Sequence, residues 1–272
     1  MPGVFSRHAA AYDDRLRDAL DRGEARGRTR VVALLQVRPG DRVLDLGCGP
    51  GVLLRPLAEA VGDTGLVVGV DLAEGMLALA RAGAPPWAAV TRMDMERLGV
   101  ASGAFDAVAC GHALQFCPDL GLALAEARRA LRDGGRFAAS LPAAAGRGRG
   151  SAGAARILDE VFARRLPPAP EPTDAGATRA VLRDRARIRT ALRAAGFRSV
   201  AIERVAEVSS YAGPEALVDR TLRWWTCAWR LEALPEPARE ALRAEAVAAL
   251  RARLGAGPVT VPGATWVLSG VR

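Results

Sequence analysis

Three glycines and one acid lie close together early in the chain: Asp45 is followed by Gly47, Gly49 and Gly51. An apolar stretch precedes them, and residues 52–61 follow with apolar residues at helical spacing. The pattern predicts a buried strand, a tight turn and a helix. Glycines free the backbone to adopt unusual conformations and let a ligand contact the main chain. The turn is therefore a candidate site for a nucleoside.

A dinucleotide is the obvious ligand for such a turn, but its fingerprint places the third glycine five residues after the first. Counted from Gly47, that position is Val52, so the third glycine comes one residue early. In addition, Asp45 precedes the first glycine, where a carboxylate would repel a pyrophosphate and attract a cationic amino group. The residues favour a zwitterionic ligand.

The run DLGCGPG resembles the first motif of the class I S-adenosylmethionine (SAM) dependent methyltransferases, in which an apolar strand ends in D-x-G-x-G-x-G. Three later segments resemble the same family: F-D-x-V from Phe105, L-Q-F-x-P-D at 114–119 and A-L-R-x-G-G-R at 130–136. The match covers about residues 40–141, and the N-terminal segment is similar to small-molecule enzymes of the quinone-biosynthesis, or methyltransferase-11, type. The resemblance implies SAM as cofactor and S-adenosylhomocysteine as product.

Asp71 ends a second apolar strand, 20 residues after Gly51. At this spacing a carboxylate can accept hydrogen bonds from both ribose hydroxyls of an adenosine that lies across the strand ends. Simple capping of a helix over residues 73–82 is compatible with that role. The sequence therefore predicts that Asp71 binds the ribose.

The resemblance further implies that Asp94 accepts from the adenine amino group and that Met95 offers a backbone amide to the ring. Met76 is placed to stack on adenine, although core packing is an alternative for both methionines. For Cys48 and Cys110, a role as small apolar filler competes with cofactor contact. The predicted cofactor-binding residues are Asp45, Gly47, Cys48, Gly49, Asp71, Leu72, Met76, Asp94, Met95 and Cys110.

His112 follows the predicted fourth strand and is the candidate general base or substrate contact. A structural histidine that hydrogen-bonds to backbone is the alternative. Tyr12 and His8 share one face of an N-terminal helix, and Trp225 and Trp229 share a face of a later one, so these four are the candidate substrate contacts. Ordinary packing is the alternative for all four.

The element pattern predicts an α/β fold: a Rossmann-like, seven-stranded, mostly parallel sheet with an antiparallel last strand, helices on both faces and helical lid insertions. We expect a single domain over residues 1–272. Its cofactor-binding core comprises about 37–141 and 186–210 with 262–272. The helical lid comprises about 1–36, 142–185 and 213–256.

More local expectations concern the ends of these elements. Residues 5–36 are predicted as one or two helices with a cap at Ser6, and the third strand is predicted to stop at Asp94. A single helix is expected over 179–195. The last two strands are predicted at 199–208 and 265–271, with helices over 214–254 between them.

The net charge of +8 would ordinarily suggest a nucleic-acid partner. All 38 basic residues are arginine, however, and the chain has neither lysine nor asparagine, which is typical of a GC-rich coding sequence. The Asn- or Asp-Pro-Pro-aromatic run of base-amino methyltransferases is also missing, which disfavours nucleic acid. The histidine and cysteine spacing predicts no metal site.

No apolar run is long enough to span a membrane, and the N-terminus lacks the apolar stretch of a signal peptide, so we expect a cytoplasmic protein. It would act as a monomer or homodimer. The sequence predicts SAM-dependent methyl transfer to oxygen, nitrogen or carbon of a small molecule, in specialised-metabolite biosynthesis. Three alternatives stay open. They are a methyltransferase-fold protein that binds SAM only structurally and catalyses a cyclisation or rearrangement, a binding module without turnover and, less favoured, a nucleic-acid methyltransferase.

Overall fold

A computed structural model describes residues 2–143, 152–168 and 175–272. Within these residues, seven strands form one sheet in the order β3-β2-β1-β4-β5-β7-β6. The strands are β1 (Arg42–Leu46), β2 (Leu66–Asp71), β3 (Ala88–Arg92), β4 (Phe105–Gly111), β5 (Leu131–Pro142), β6 (Arg198–Tyr211) and β7 (Val259–Val271).

Helices cover both faces of the sheet and also form a separate layer beyond its β6–β7 edge. They are α1 (Pro2–Arg7), α2 (Ala9–Asp21), α3 (Arg26–Leu35), α4 (Leu54–Val61), α5 (Glu74–Gly83), α6 (Leu120–Ala130), α7 (Ala152–Arg165), α8 (Gly176–Leu182), α9 (Arg185–Ala194), α10 (Pro214–Leu222), α11 (Trp225–Leu231) and α12 (Glu236–Leu254). Among the described residues, none of the helices combines the length and the hydropathy needed to cross a membrane.

The strand directions confirm the predicted sheet. β1 pairs in parallel with β2 and β4, and the pairs β2–β3 and β4–β5 are parallel as well. β7 runs antiparallel to both of its neighbours, β5 and β6. All parallel strands therefore end at one edge, where a doubly wound sheet binds its ligand.

Burial on both faces explains why the central strands are continuously apolar. Successive side chains of β1 point to opposite faces, so Val43 joins the core beneath α3 and α4 whereas Leu44 and Leu46 join the core beneath α6. All three side chains are fully buried. This packing fixes the level at which β1 ends and the glycine turn begins.

The N-terminal segment differs from the prediction, because it forms three helices and Ser6 does not cap any of them. Ser6 lies inside α1, and its hydroxyl accepts a hydrogen bond from the Gly75 N–H at the start of α5, at 3.2 Å. α1 approaches so closely that a Cβ on Gly75 would lie 2.3 Å from the Ser6 carbonyl oxygen. Tertiary contact with α5, rather than a local capping pattern, decides the position of Ser6.

Several element ends also differ from the prediction. β3 ends at Arg92, before Asp94, and the single helix expected over 179–195 is divided into α8 and α9. The β6–β7 hairpin is longer than predicted and pairs as far as Tyr211 with Val259. The helices expected between these strands are present as α10, α11 and α12. Much of the two predicted loops, at 143–155 and 166–178, lies outside the described residues.

The extended hairpin supports a separate apolar cluster. α7, α10 and α12 pack on one another and on the far end of β6 and β7. Leu217, Leu242 and Leu250 are buried at their contact. This cluster positions α10 beside α2, next to the edge where the parallel strands end.

We expect Gly27→Ala to destabilise the protein by about 1–3 kcal/mol, the usual cost of overpacking. A Cβ on Gly27 in α3 would lie 2.2 Å from Thr265 Cγ2 of β7, so the helix or the strand would have to move. Gly83→Ala at the end of α5 is the control, because an added Cβ there meets no atom within 4 Å. Urea denaturation measures both, and equal stability of the two variants would contradict this packing.

Candidate active site

The turn after β1 requires glycine for two reasons. Gly47 and Gly49 have φ angles of 63° and 55°, in the left-handed region that glycine adopts without strain. In addition, a Cβ on Gly47 would lie only 2.3 Å from the Cβ of Ala113. The Cys48 N–H donates to the Val70 carbonyl at 2.9 Å, which ties the turn to the end of β2.

The Asp71 carboxylate holds this turn against the start of α5. Its Oδ2 accepts from the Gly49 N–H and its Oδ1 accepts from the Ala73 N–H, both at 2.9 Å. Burial raises the pKa of Asp71, although these backbone hydrogen bonds act to lower it. A carboxylate oxygen can accept more than one hydrogen bond, so both oxygens keep capacity for a ligand.

A cavity of about 310 Å³ lies at the carboxyl ends of the parallel strands, bounded by the glycine turn and α1. The structure brings nine of the sequence-predicted site residues to its wall. They are Tyr12, Gly47, Gly49, Asp71, Leu72, Met76, Asp94, Met95 and His112.

Asp45 and the two cysteines lie behind this wall rather than on it. Asp45 is 1% exposed, and neither carboxylate oxygen has a hydrogen-bond partner among the described residues. Burial, with the negative charge of Asp71, raises the pKa of Asp45 to about 8, against the opposing effect of Arg28. Burial also raises the pKa values of Cys48 and Cys110, so both are protonated thiols and fill apolar space.

Asp94 and Met76 also line the cavity. Asp94 Oδ1 accepts from the Glu96 N–H at 2.9 Å, so the carboxylate is fixed by its own turn. Met76 is 2% exposed and packs with Ala9 and Ala73 under the N-terminal helices. The Met76 side chain therefore belongs both to the apolar core and to the cavity wall.

His112 is held rigidly at the end of β4. Its backbone is left-handed, with φ 59°, and its N–H donates to the Ser140 carbonyl at 2.9 Å. On the imidazole, Nδ1 lies 2.8 Å from Ser140 Oγ and Nε2 lies 3.5 Å from Thr265 Oγ1. Burial and the charge of Arg28 lower the pKa of His112 well below its usual value. The ring is therefore neutral at pH 7 and can accept a proton.

Aromatic side chains from distant parts of the chain close the cavity. Phe5 packs edge-to-face on Phe116, with ring centroids 5.2 Å apart. Tyr12 stacks on Trp224 at 5.4 Å, and its hydroxyl is 3.5 Å from Arg28 Nη2. Phe5, Tyr12 and Phe116 line the cavity, so this part of its wall is apolar.

The residues that the sequence predictions missed include four large apolar side chains of this region, Phe5, Met93, Phe116 and Trp224. Phe116 stands inside the L-Q-F-x-P-D bend, and Met93 and Trp224 each stand beside a predicted site residue, so these three had a local signal. Phe5 had none beyond its hydrophobicity, because its contact with Phe116 joins segments that are distant in sequence.

Among the described residues, the structure does not bring two of the predicted substrate contacts, His8 and Trp229, to the cavity. His8 lies between α1 and α2, with Nε2 2.9 Å from Glu232 Oε1 beyond the end of α11. Trp229 is half-buried but is not part of the cavity wall. The side chain of Trp225 lies outside the described part of the chain.

Comparison with known proteins is consistent with this geometry. A family described as a methyltransferase domain matches residues 44–139. Nocamycin O-methyltransferase of Saccharothrix syringae is 34% identical over 276 residues, which cover 94% of this chain and 93% of that protein. The 2-phytyl-1,4-naphtoquinone methyltransferase of Synechococcus elongatus is 37% identical over 144 residues, or 51% of this chain. The chain spans 61% of that protein's length and 32% of another relative's.

Structural similarity extends to a protein with a different reaction. The [4+2]-cyclase SpnF has a TM-score of 0.55 and 17% identity, with 91% of this chain and 80% of that chain covered. This likeness concerns the fold alone. The nearly full-length match to nocamycin O-methyltransferase is closer in sequence, and on that match this chain belongs to the class I, small-molecule family of SAM-dependent methyltransferases.

Proposed function

We propose that this protein transfers a methyl group from SAM to an oxygen, nitrogen or carbon atom of a small molecule in specialised-metabolite biosynthesis. The supporting observation is that one cavity joins the Asp71-bound glycine turn to the neutral imidazole of His112. When bound, SAM supplies a methyl group on a positively charged sulfur, ready for in-line displacement. The protein itself must orient the acceptor and exclude water.

The residues around the glycine turn fit this cofactor. Asp71 offers two carboxylate oxygens to vicinal ribose hydroxyls, and Gly49 leaves open space beside them. The buried, unpartnered carboxylate of Asp45 suits a cationic amino group, which would satisfy its oxygens. Asp94 and Met95 line the same cavity, which supports the proposal that they contact the adenine.

The acceptor would enter between the N-terminal helices and the sheet. Phe5, Tyr12 and Phe116 present rings there, so the site excludes water and favours an apolar body. This arrangement supports the proposal that the helices outside the sheet form a lid. A closed, dry site strengthens the electrostatic interactions on which alignment depends.

Of the two imidazole nitrogens of His112, Nε2 is the one less engaged by the protein and is therefore the candidate base. Its contact with Thr265 is long, at 3.5 Å, whereas Nδ1 is engaged at 2.8 Å by Ser140. Because the pKa of His112 is lowered, its imidazole is a weak base, for which an aliphatic alcohol is a poor proton donor. We therefore favour an acidic acceptor, such as a phenol or an enol.

A second candidate function is cyclisation or rearrangement without methyl transfer. It is favoured by one observation, that the [4+2]-cyclase SpnF shares this fold.

The mass of the product distinguishes methyl transfer from cyclisation or rearrangement. Incubation with SAM and a panel of phenols and enolisable diketones should give products heavier by one methylene, with one S-adenosylhomocysteine each. A product of unchanged mass, with SAM recovered, would establish the alternative.

We expect His112→Asn to lower the single-turnover rate about a hundredfold or more while SAM affinity hardly changes, since general bases contribute on that order. Asparagine tolerates the left-handed backbone at this position, so the variant removes the base without adding strain. Rapid-quench kinetics and calorimetry measure the two quantities. Thermal denaturation serves as the folding control.

The pH profile gives an independent test of the same role. The imidazole must be neutral to accept a proton, and its lowered pKa keeps it neutral well below the usual value of 6.5. The acidic limb of the wild-type profile should therefore fall below pH 6.5 and follow one ionisation. Near wild-type turnover by His112→Asn across the pH range would exclude the base role and leave His112 as part of the cavity wall.

We also expect SAM binding to release about one proton at pH 6.5. Without ligand, Asp45 is protonated below its pKa of about 8. The amino group of SAM is charged at pH 6.5, since α-amino groups have pKa values of about 7.7–8.0, and a cation beside Asp45 favours its carboxylate. Calorimetry in buffers of different ionisation enthalpy counts the protons. Asp45→Asn should release none, and equal release by both proteins would remove Asp45 from the cofactor site.

A further inference from the structure

A second cavity, of about 790 Å³, opens between α2, α10 and the end of β6. None of its residues belongs to the wall of the first cavity. It is lined by Ala11, Asp14, Arg15, Asp18, Arg22, Ser210, Tyr211, Ala212, Ala216, Asp219, Arg220 and Arg223. We call it the arginine groove, because four arginines face it against three aspartates.

Ion pairs neutralise part of this charge. Asp18 lies 3.0 Å from Arg22 Nη2 and 2.8 Å from Arg220 Nη1. Asp219 accepts from two nitrogens of Arg243, at 2.6 and 2.9 Å. Asp14 is exposed at the rim. Glu24, 8% exposed, lies 3.2 Å from Arg22 Nη2 and 3.4 Å from Arg220 Nη2, and its charge also acts on Arg15. Each of these acids therefore pairs with another arginine or stands in solvent.

Arg15 is the first of these two. Its guanidinium lies 3.9 Å from the ring centre of Trp224, which holds it flat over the indole. Its Nη1 is buried and has no hydrogen-bond partner among the described residues. A buried guanidinium nitrogen without an acceptor is costly, and an oxyanion would satisfy it.

Arg223, at the end of α10, is the second. Its side chain is exposed, and its charge acts on Asp219, which Arg243 already engages. Arg220 also lines the groove; it is 12% exposed, and its guanidinium lies 5.6 Å from the ring centre of Tyr211. The groove thus offers a half-buried positive charge at Arg15 and an exposed one at Arg223.

We propose that the arginine groove binds the carboxylate or phosphate group of a small molecule, with Arg15 and Arg223 as its main contacts. A planar guanidinium donates two parallel hydrogen bonds to either group, and its stacking on Trp224 fixes its direction beforehand. The site is independent of methyl transfer, because it is defined without SAM and shares no residue with the first cavity.

Trp224 connects the surroundings of the two cavities. It contacts Arg15 of the groove and stacks on Tyr12, which lines the first cavity.

Inorganic pyrophosphate and glutarate are suitable probes, titrated separately into the full-length protein without SAM, at constant ionic strength. We expect one saturable site by calorimetry for at least one of them. Arg15→Gln should weaken binding at least about tenfold, because it removes charge-assisted hydrogen bonds. Arg15→Lys should recover only part of this affinity, since lysine keeps the charge but not the planar fork. The tighter probe identifies the oxyanion.

Two further variants provide a second test of the site and a control. Arg223→Gln should weaken the same binding, and it lies on the surface, so the proposal stays testable if Arg15→Gln is unstable. Arg55→Gln is the matched control, because Arg55 is an exposed arginine paired with Glu59 on α4. Absence of saturable binding for both probes, or equal binding by wild type, Arg15→Gln and Arg223→Gln, would overturn the proposal.

Discussion

The hydrogen bond from the Gly49 N–H to the Asp71 carboxylate is the constraint on which the rest of the site depends. It joins the turn after β1 to the end of β2 and fixes a backbone that only glycine adopts easily. The second bond, from the Ala73 N–H, ties the start of α5 to the same carboxylate. One side chain therefore sets the positions of two strand ends and one helix.

The wall opposite this anchor comes from segments that have no part in the sheet. α1 docks on α5 through Ser6 and Gly75, which places Phe5 and Tyr12 over the strand ends. Trp224 lies in the insertion between β6 and β7 and stacks on Tyr12. In the proposed function, the sheet therefore provides the cofactor side of the cavity, whereas the additional segments provide the acceptor side and the neighbouring arginine groove.

The sheet and its cofactor side were predictable because their signals are local. The turn glycines, Asp71 and the apolar strands each follow a short-range pattern, and the structure places them together as expected. The residues from outside the sheet, which are proposed to face the acceptor, were harder to predict from the sequence. His8 pairs with Glu232, more than two hundred residues away, and Ser6 bonds to α5, so neither the helix pattern nor the cap pattern determined their positions. Such contacts depend on tertiary packing between remote segments, which a single sequence does not display.

The most direct test of this account is the calorimetric affinity of S-adenosylhomocysteine for the wild type and for Asp71→Ala. The account predicts micromolar or tighter binding to the wild type and a loss of about 1.5–3 kcal/mol in the variant, the range for hydrogen bonds to a charged group. Thermal denaturation confirms that the variant is folded. Equal affinity of the two folded proteins would contradict the proposal that the Asp71-anchored turn binds the cofactor.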